Sequence, residues 1–143
     1  MGDTIGVVER RARRAARGPG RLRMTEAEFL SWCDEDTRAE WVNGEVYLMS
    51  PASREHSELL AFLLRLMSDY AEEKELGEVH GAEFAVRLPQ AGSRRLPDLL
   101  FVARERAHLF RASHLEGAPD LIVEIVSPDS TARDWRVKYH EYE

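Results

Sequence analysis

Asp98 and Glu124 are the side chains of this sequence whose placement most calls for a chemical explanation. Each follows the same local text, PDLLFV from residue 97 and PDLIVEIV from residue 119. In the second passage the carboxylate interrupts an aliphatic run, since Leu121, Ile122, Val123 and Ile125 surround it. Side chains alternate across a strand, so Ile122, Glu124 and Val126 share one face while Leu121, Val123 and Ile125 share the other. Between two covered faces an uncompensated carboxylate is very costly. Glu124 must therefore be protonated, paired with a cation or bound to a metal. Asp98, opening another strand, supplies a second oxygen donor if the strands are neighbours. Two carboxylates completed by a backbone carbonyl and water suit Mg²⁺ or Mn²⁺. The structural alternative is that Asp98 and Asp120 merely start strands and Glu124 is bridged to an arginine such as Arg87.

Lys138 is the third candidate. Lys74 and Lys138 are the two lysines of the chain, among eighteen arginines. An ammonium on a flexible stem, carried by the helix after the Glu124 strand, can reach back over the strand end. There it can orient an attacking water and offset charge on a phosphate in transition. The spacing has a second use, because Asp134 lies four residues earlier and a surface pair along the helix would also satisfy the amine.

The elements that must position these groups are legible from pattern. MTEAEFLSWC carries Thr25 as N-cap and Glu28 three places later, a reciprocal capping box that predicts a short helix over 26–33. In AEWVNGEVYLMS the Asn43–Gly44 dipeptide suits a type I′ turn between two strands. Ser53 can cap the long helix over 54–74, where Leu59, Phe62, Leu63, Leu66 and Tyr70 recur at helical spacing and Gly77 suits the exit. GEVHGAEFAVRLP then shows the alternation of a strand, with Val79, Phe84, Val86 and Leu88. QAGSRR reads as a polar loop, PDLLFVA as a second strand begun by Pro97, residues 104–118 as helical or irregular, and PDLIVEIVS as a third strand. Pro128 ends that strand, and Ser130 or Thr131 begins a helix with Trp135, Val137, Tyr139 and Tyr142 within reach of the core.

Length and charge bound the rest. A chain of 143 residues, 43% hydrophobic and 32% charged, fits one soluble domain. No apolar stretch approaches the roughly 18 residues of a membrane helix, and no secretory leader is visible, which points to a cytoplasmic protein without membrane contact. The lone Cys33 forms no intrachain disulfide. Residues 1–23 hold seven arginines against Asp3 and Glu9, a net charge of +5; the other 120 residues hold 13 basic against 24 acidic residues, a net charge of -11. The first segment reads as a flexible basic leader that can track phosphates or lie along the body's acidic face. The acidic remainder is unsuited to general phosphate binding without a cation or a local groove.

Taken together, PD at 97 and 98, LIVEIVSPDST from 121 to 131, Asp134, and Lys138 with Tyr142 resemble the Uma2 family, also called DUF820, of restriction-endonuclease-like proteins. AEWVNGEVYLMSP resembles that family's glutamate–Gly–Glu strand passage, and His56 matches the histidine opening its long helix. The resemblance spans residues 24–143. It implies one domain over those residues with the core of the PD-(D/E)XK nuclease superfamily, an α/β (mixed α+β) fold in which a mixed sheet is flanked by helices. It further implies that Asp98 and Glu124 bind Mg²⁺ or Mn²⁺ and that Lys138 replaces the lysine normally found two places after the second acid, where Val126 stands here. Glu45 would support the site, with Glu40 and Glu83 as alternatives for that place, and His56 would be structural or on the substrate side. The implied activity is metal-dependent endonucleolytic hydrolysis of phosphodiester bonds, DNA being the expected substrate and RNA remaining open. The alternative is an inactive nucleic-acid-binding or protein-interaction scaffold of the same fold. The family continues beyond the lysine helix with further strands, whereas this chain ends at HEYE, so the resemblance implies a C-terminally truncated domain whose open sheet edge a homodimer would cover.

Overall fold

The computed structural model describes residues 22–126 and 132–142, with side chains of 132–136 not among the described features. The basic leader, apart from Leu22 and Arg23, lies outside the described residues, as do Pro128, Ser130 and Thr131. The chain divides into two compact units, Met1–Ser50 and Pro51–Glu143.

The N-terminal unit comprises β1 (Leu22–Arg23), α1 (Glu26–Trp32), β2 (Ala39–Val42) and β3 (Glu45–Leu48). The capping box forms as expected. The Glu28 amide donates to Thr25 Oγ1 at 3.3 Å, and the Thr25 amide donates to Glu28 Oε2 at 2.8 Å. Asn43 and Gly44 take φ of 47° and 87°, which only a turn with left-handed residues tolerates, and they join β2 to β3 in an antiparallel hairpin. β1 adds to the other side of β3. Phe29, Ala39 and Val46 form the buried centre, with Leu22, Met24, Trp32, Trp41 and Leu48 packed around them.

The C-terminal unit holds α2 (Arg54–Glu73), β4 (Gly77–Gly81), β5 (Ala85–Leu88), β6 (Ser93–Arg95), β7 (Leu99–Ala103), a 3-10 helix (Arg104–Leu109), β8 (His114–Glu116), β9 (Leu121–Val123) and α3 (Ala132–Tyr142). β4, β7 and β9 make an antiparallel sheet in that order. β5 pairs antiparallel with β6 and parallel with β8, so this part of the fold is a mixed sheet. The core lies between them: Val86, Leu88, Leu100, Val102 and Leu115 are buried, and Phe84, Leu109, Phe110, Ile122 and Tyr142 pack against them. No helix among the described residues is long and apolar enough to cross a membrane.

Several expectations change: residues 104–118, read as helical or irregular, hold the strand β8, and the third strand ends at Val123, before Glu124. The passage 77–88 is two strands rather than one, because the chain turns at Ala82–Glu83 and β4 and β5 enter different sheets. The polar run QAGSRR contains a strand, β6, whose alternate side chains Ser93 and Arg95 are buried. Four of the five residues in the apolar stripe that reveals α2 lie outside the face it buries, Leu63 being half-buried. Leu59, Phe62, Leu66 and Tyr70 are 45%, 58%, 54% and 59% exposed, whereas Ala71 is buried at 4%. The turn after α2 is also sharper than a simple exit. A Cβ on Gly77 would lie 2.1 Å from the Val102 carbonyl oxygen, so β4 can approach the end of β7 only with glycine there.

Candidate functional site

The site grows from the antiparallel pair β7–β9. Leu99 stands opposite Val123, Leu100 opposite Ile122 and Phe101 opposite Leu121. Asp98 immediately precedes Leu99 and Glu124 immediately follows Val123, so the register brings both acids to the same end of the pair. The Ile125 amide donates to Asp98 Oδ2 at 2.7 Å and extends the strand contact by one bond. Asp98 Oδ1 lies 3.0 Å from Nε2 of His56, which projects from the first turn of α2. Lys138 Nζ donates to Glu124 Oε1 at 3.0 Å. The His56 and Asp98 side chains are 20% and 13% exposed, and those of Lys138 and Glu124 are 19% and 20% exposed, so both contacts are largely shielded from bulk water.

Asp120 provides an internal comparison. It opens β9 as Asp98 opens β7, and its Oδ2 accepts from the Ala103 amide at 2.8 Å, at the opposite end of the same strand pair. Both aspartates of the repeated PDL text thus stitch the start of one strand to the end of its neighbour. They differ in the second oxygen. Asp120 Oδ1 accepts from the Arg106 guanidinium at 2.8 Å, whereas Asp98 meets an imidazole. The Ala103 amide is the main cause that holds the Asp120 carboxyl below the ordinary carboxylate range; burial opposes it, and Arg106 adds to the lowering.

Helix α3 is fixed by a second set of contacts. Arg95 on β6 grips Glu141 in bidentate fashion, Nε to Oε2 at 2.7 Å and Nη2 to Oε1 at 2.8 Å. Ser93 Oγ donates to the same Oε2 at 3.1 Å. Tyr142, next along, packs on the core. Between α3 and β9 lies a cavity of about 450 Å³ whose lining includes Leu121, Ile122, Glu124, Lys138, Tyr139 and Tyr142.

Glu45 belongs to the N-terminal unit, where it accepts from Arg23 Nη1 at 3.2 Å and from the Tyr47 hydroxyl at 2.8 Å. Glu40 is buried on β2, and Glu83 is exposed in the turn after β4. Arg87 bonds Glu116 at 2.6 Å, and Lys138 bonds Glu124. Val126 is 61% exposed. Among the described residues no group of three or more His, Cys, Asp or Glu side chains is gathered to hold a metal. Sequence reasoning set His56 aside from the acids and missed Arg95, Ser93 and Glu141 altogether. The signal for β6 was present in Ser93 and Arg95 as alternate residues, but a buried arginine becomes recognisable only through its partner 46 residues away.

The C-terminal unit thus combines a mixed sheet and flanking helices with two acids at one end of a strand pair. The family described as "Uma2: Putative restriction endonuclease" matches residues 26–143, and the chain belongs to that family. Among solved structures it is similar to a protein described as "a putative nuclease belonging to DUF820" from Anabaena variabilis ATCC 29413. The TM-score is 0.71 at 18% identity, over 82% of this chain and 67% of that one. At that identity the likeness establishes the fold. No curated protein matches the sequence.

Proposed function

We propose that the protein is a Mg²⁺- or Mn²⁺-dependent endonuclease that hydrolyses phosphodiester bonds in DNA, with Asp98 and Glu124 as metal ligands and Lys138 as the catalytic cation. The observation that carries this reading is the meeting of both acids at one end of β7–β9 with the Lys138 amine already on Glu124. The donor set fits such an ion. Mg²⁺ keeps much of its water and commonly takes one or two carboxylates together with substrate phosphate oxygens, so a closed cage of protein ligands is not required. When bound, the ion supplies Lewis acidity toward a phosphate oxygen and toward water. Asp98 and Glu124 supply the fixed negative charge that retains it. Lys138 is placed to turn from Glu124 toward the phosphate, where an ammonium offsets charge developing on oxygen. His56, on Asp98 Oδ1, orients that carboxylate from the α2 side. The family membership and the fold of the DUF820 relative support the same reading.

The absence of a three-residue cage among the described residues favours one other reading, an inactive scaffold in which Lys138 merely neutralises Glu124. Cleavage of double- and single-stranded DNA and of RNA, with and without Mn²⁺, separates the two. We expect Mn²⁺-dependent cleavage of DNA that Glu124→Gln and Lys138→Met each reduce by at least about a hundredfold. Metal-independent cleavage, or cleavage untouched by Lys138→Met, would refute the assignment.

A further inference from the structure

We infer that Arg95, with Ser93 and Glu141, is a positioning device that sets the distance between the Lys138 amine and the two acids. The inference rests on the reading of Lys138 and Glu124 as the working pair and goes beyond it by naming what holds the pair in register.

The contacts form a closed circuit. Asp98 lies three residues beyond Arg95 on the same short segment, so β6 and the Asp98 carboxylate are linked through Leu96 and Pro97 alone. Arg95 is tied to Glu141 by two hydrogen bonds of 2.7 and 2.8 Å. Glu141 lies three residues from Lys138 on α3, close to one helical turn, so fixing one fixes the axial position of the other. Lys138 bonds Glu124 at 3.0 Å, and the Ile125 amide returns the circuit to Asp98 at 2.7 Å. A shift of α3 along its axis would have to break the bidentate grip before it could move the amine.

The chemistry of the grip suits this work. The Arg95 and Glu141 side chains are 7% and 12% exposed, so neither is solvated well enough to let go readily. A guanidinium fork meeting a carboxylate fixes orientation as well as distance, which a lysine at the same place would not. Losing Arg95 takes the guanidinium from a shielded Glu141 carboxylate and drives the helix end to move or hydrate. Tyr142, on the same 11-residue helix, also packs on the core.

The two lysines make a direct test of the full chain. Lys74, 52% exposed at the end of α2, is an internal reference for Lys138, which is 19% exposed. Brief acetylation with an N-hydroxysuccinimide ester, read by mass spectrometry, yields the Lys138-to-Lys74 labelling ratio in the folded protein. We expect Arg95→Met to raise that ratio about fivefold, the scale on which one shielded ion pair is released. Glu141→Gln, which removes charge but keeps the shape and so folds more readily, is expected to raise it in the same direction. Adding one substitution to the other should produce little further rise. A role confined to stability would lower the melting temperature and leave the labelling ratio of folded protein unchanged, and that result would overturn the inference. If Arg95→Met fails to fold, Glu141→Gln alone decides. Where the wild type cleaves DNA, kcat is expected to fall in Glu141→Gln with KM unchanged. Loss of cleavage by the wild type would remove the proposed function without altering the labelling outcome, so the two ideas fail separately.

Discussion

Lys138→Met makes a demanding prediction, because it should strengthen metal binding while removing cleavage. In the structure the ammonium lies 3.0 Å from Glu124 Oε1 and competes for the carboxylate that the ion needs. Unit charges at that distance interact by about 5 kcal/mol at an effective dielectric near 20. Partial exposure of both groups, salt screening and the ordering of a long side chain reduce the net contribution of such a pair to about 1–1.5 kcal/mol. Converted at about 1.4 kcal/mol per tenfold, the neutral variant should bind Mn²⁺ about tenfold more tightly in the absence of nucleic acid. Methionine keeps the stem packed in the cavity beside Tyr139 and Tyr142, so packing is disturbed little. Titration calorimetry with Mn²⁺ reads the dissociation constant directly. In a thermal melt with excess Mn²⁺ the same difference appears as an additional stabilisation of about 1.4 kcal/mol, or roughly 4 °C for a domain of this size. Glu124→Gln serves as the control that should lose most of the metal response. A folded Lys138→Met protein that binds Mn²⁺ no more tightly than wild type would show that the amine and the ion do not share Glu124, and the proposed site would fall.

Two further predictions concern the framework. The carboxyls of Asp120 and Glu116 are both lowered on folding. For Glu116 burial works in the opposite sense and is outweighed by hydrogen bonds from His114 and Arg87. A group lowered on folding contributes stability that is fully present above its ordinary value of about 4 and is lost as the pH falls through the lower folded value. Melting temperature should therefore drop below about pH 4, and the slope in that window should be shallower in Asp120→Asn; an unchanged slope would refute the contribution of Asp120. Phe62→Ser, on the exposed stripe of α2, should change stability by no more than about 0.5 kcal/mol, whereas Leu100→Ala in the core should cost about 3 kcal/mol by denaturant melts. A large loss from Phe62→Ser would mean that the stripe is covered in solution.

Local features were the legible ones. Thr25 with Glu28, Asn43–Gly44 and Ser53 act within a few residues of themselves, and each forms the cap or turn expected of it. The two PDL texts open neighbouring strands, and of the two uses that the spacing of Lys138 left open, the reach back over the strand is seen as its bond to Glu124, while the Asp134 side chain lies outside the described residues. What escaped depends on partners distant in sequence. Alternation alone cannot show that Gly81–Phe84 turns the chain out of one sheet and into another. Arg95 beside Arg94 in a polar run looks solvated until Glu141 is found against it. A stripe at helical spacing shows that α2 is a helix, yet Leu59, Phe62, Leu66 and Tyr70 face outward while Ala71 is buried. His56 and Asp98 are 42 residues apart, and nothing in either neighbourhood announces their contact.

Carboxylates of the C-terminal unit meet guanidinium, imidazole and amine partners, and Glu116 meets two of these kinds, since its Oε2 also lies 3.0 Å from Nε2 of His114. Arg106 on Asp120, Arg87 on Glu116 and Arg95 on Glu141 are guanidinium contacts, charged at every relevant pH, and they join strand to strand or strand to helix. Asp98 meets an imidazole, and Glu124 meets a primary amine on a flexible stem. Asp98 and Asp120 perform the same backbone task at opposite ends of β7–β9, so strand-start chemistry cannot explain why one partner is His56 and the other Arg106. Exchange can. An acid that must release its protein partner to receive a metal ion is poorly served by a guanidinium fork, and an acid that only braces a strand is well served by one. Replacing His56 with arginine should therefore keep Asp98 bonded and the fold intact while blocking the metal response that the proposed function requires.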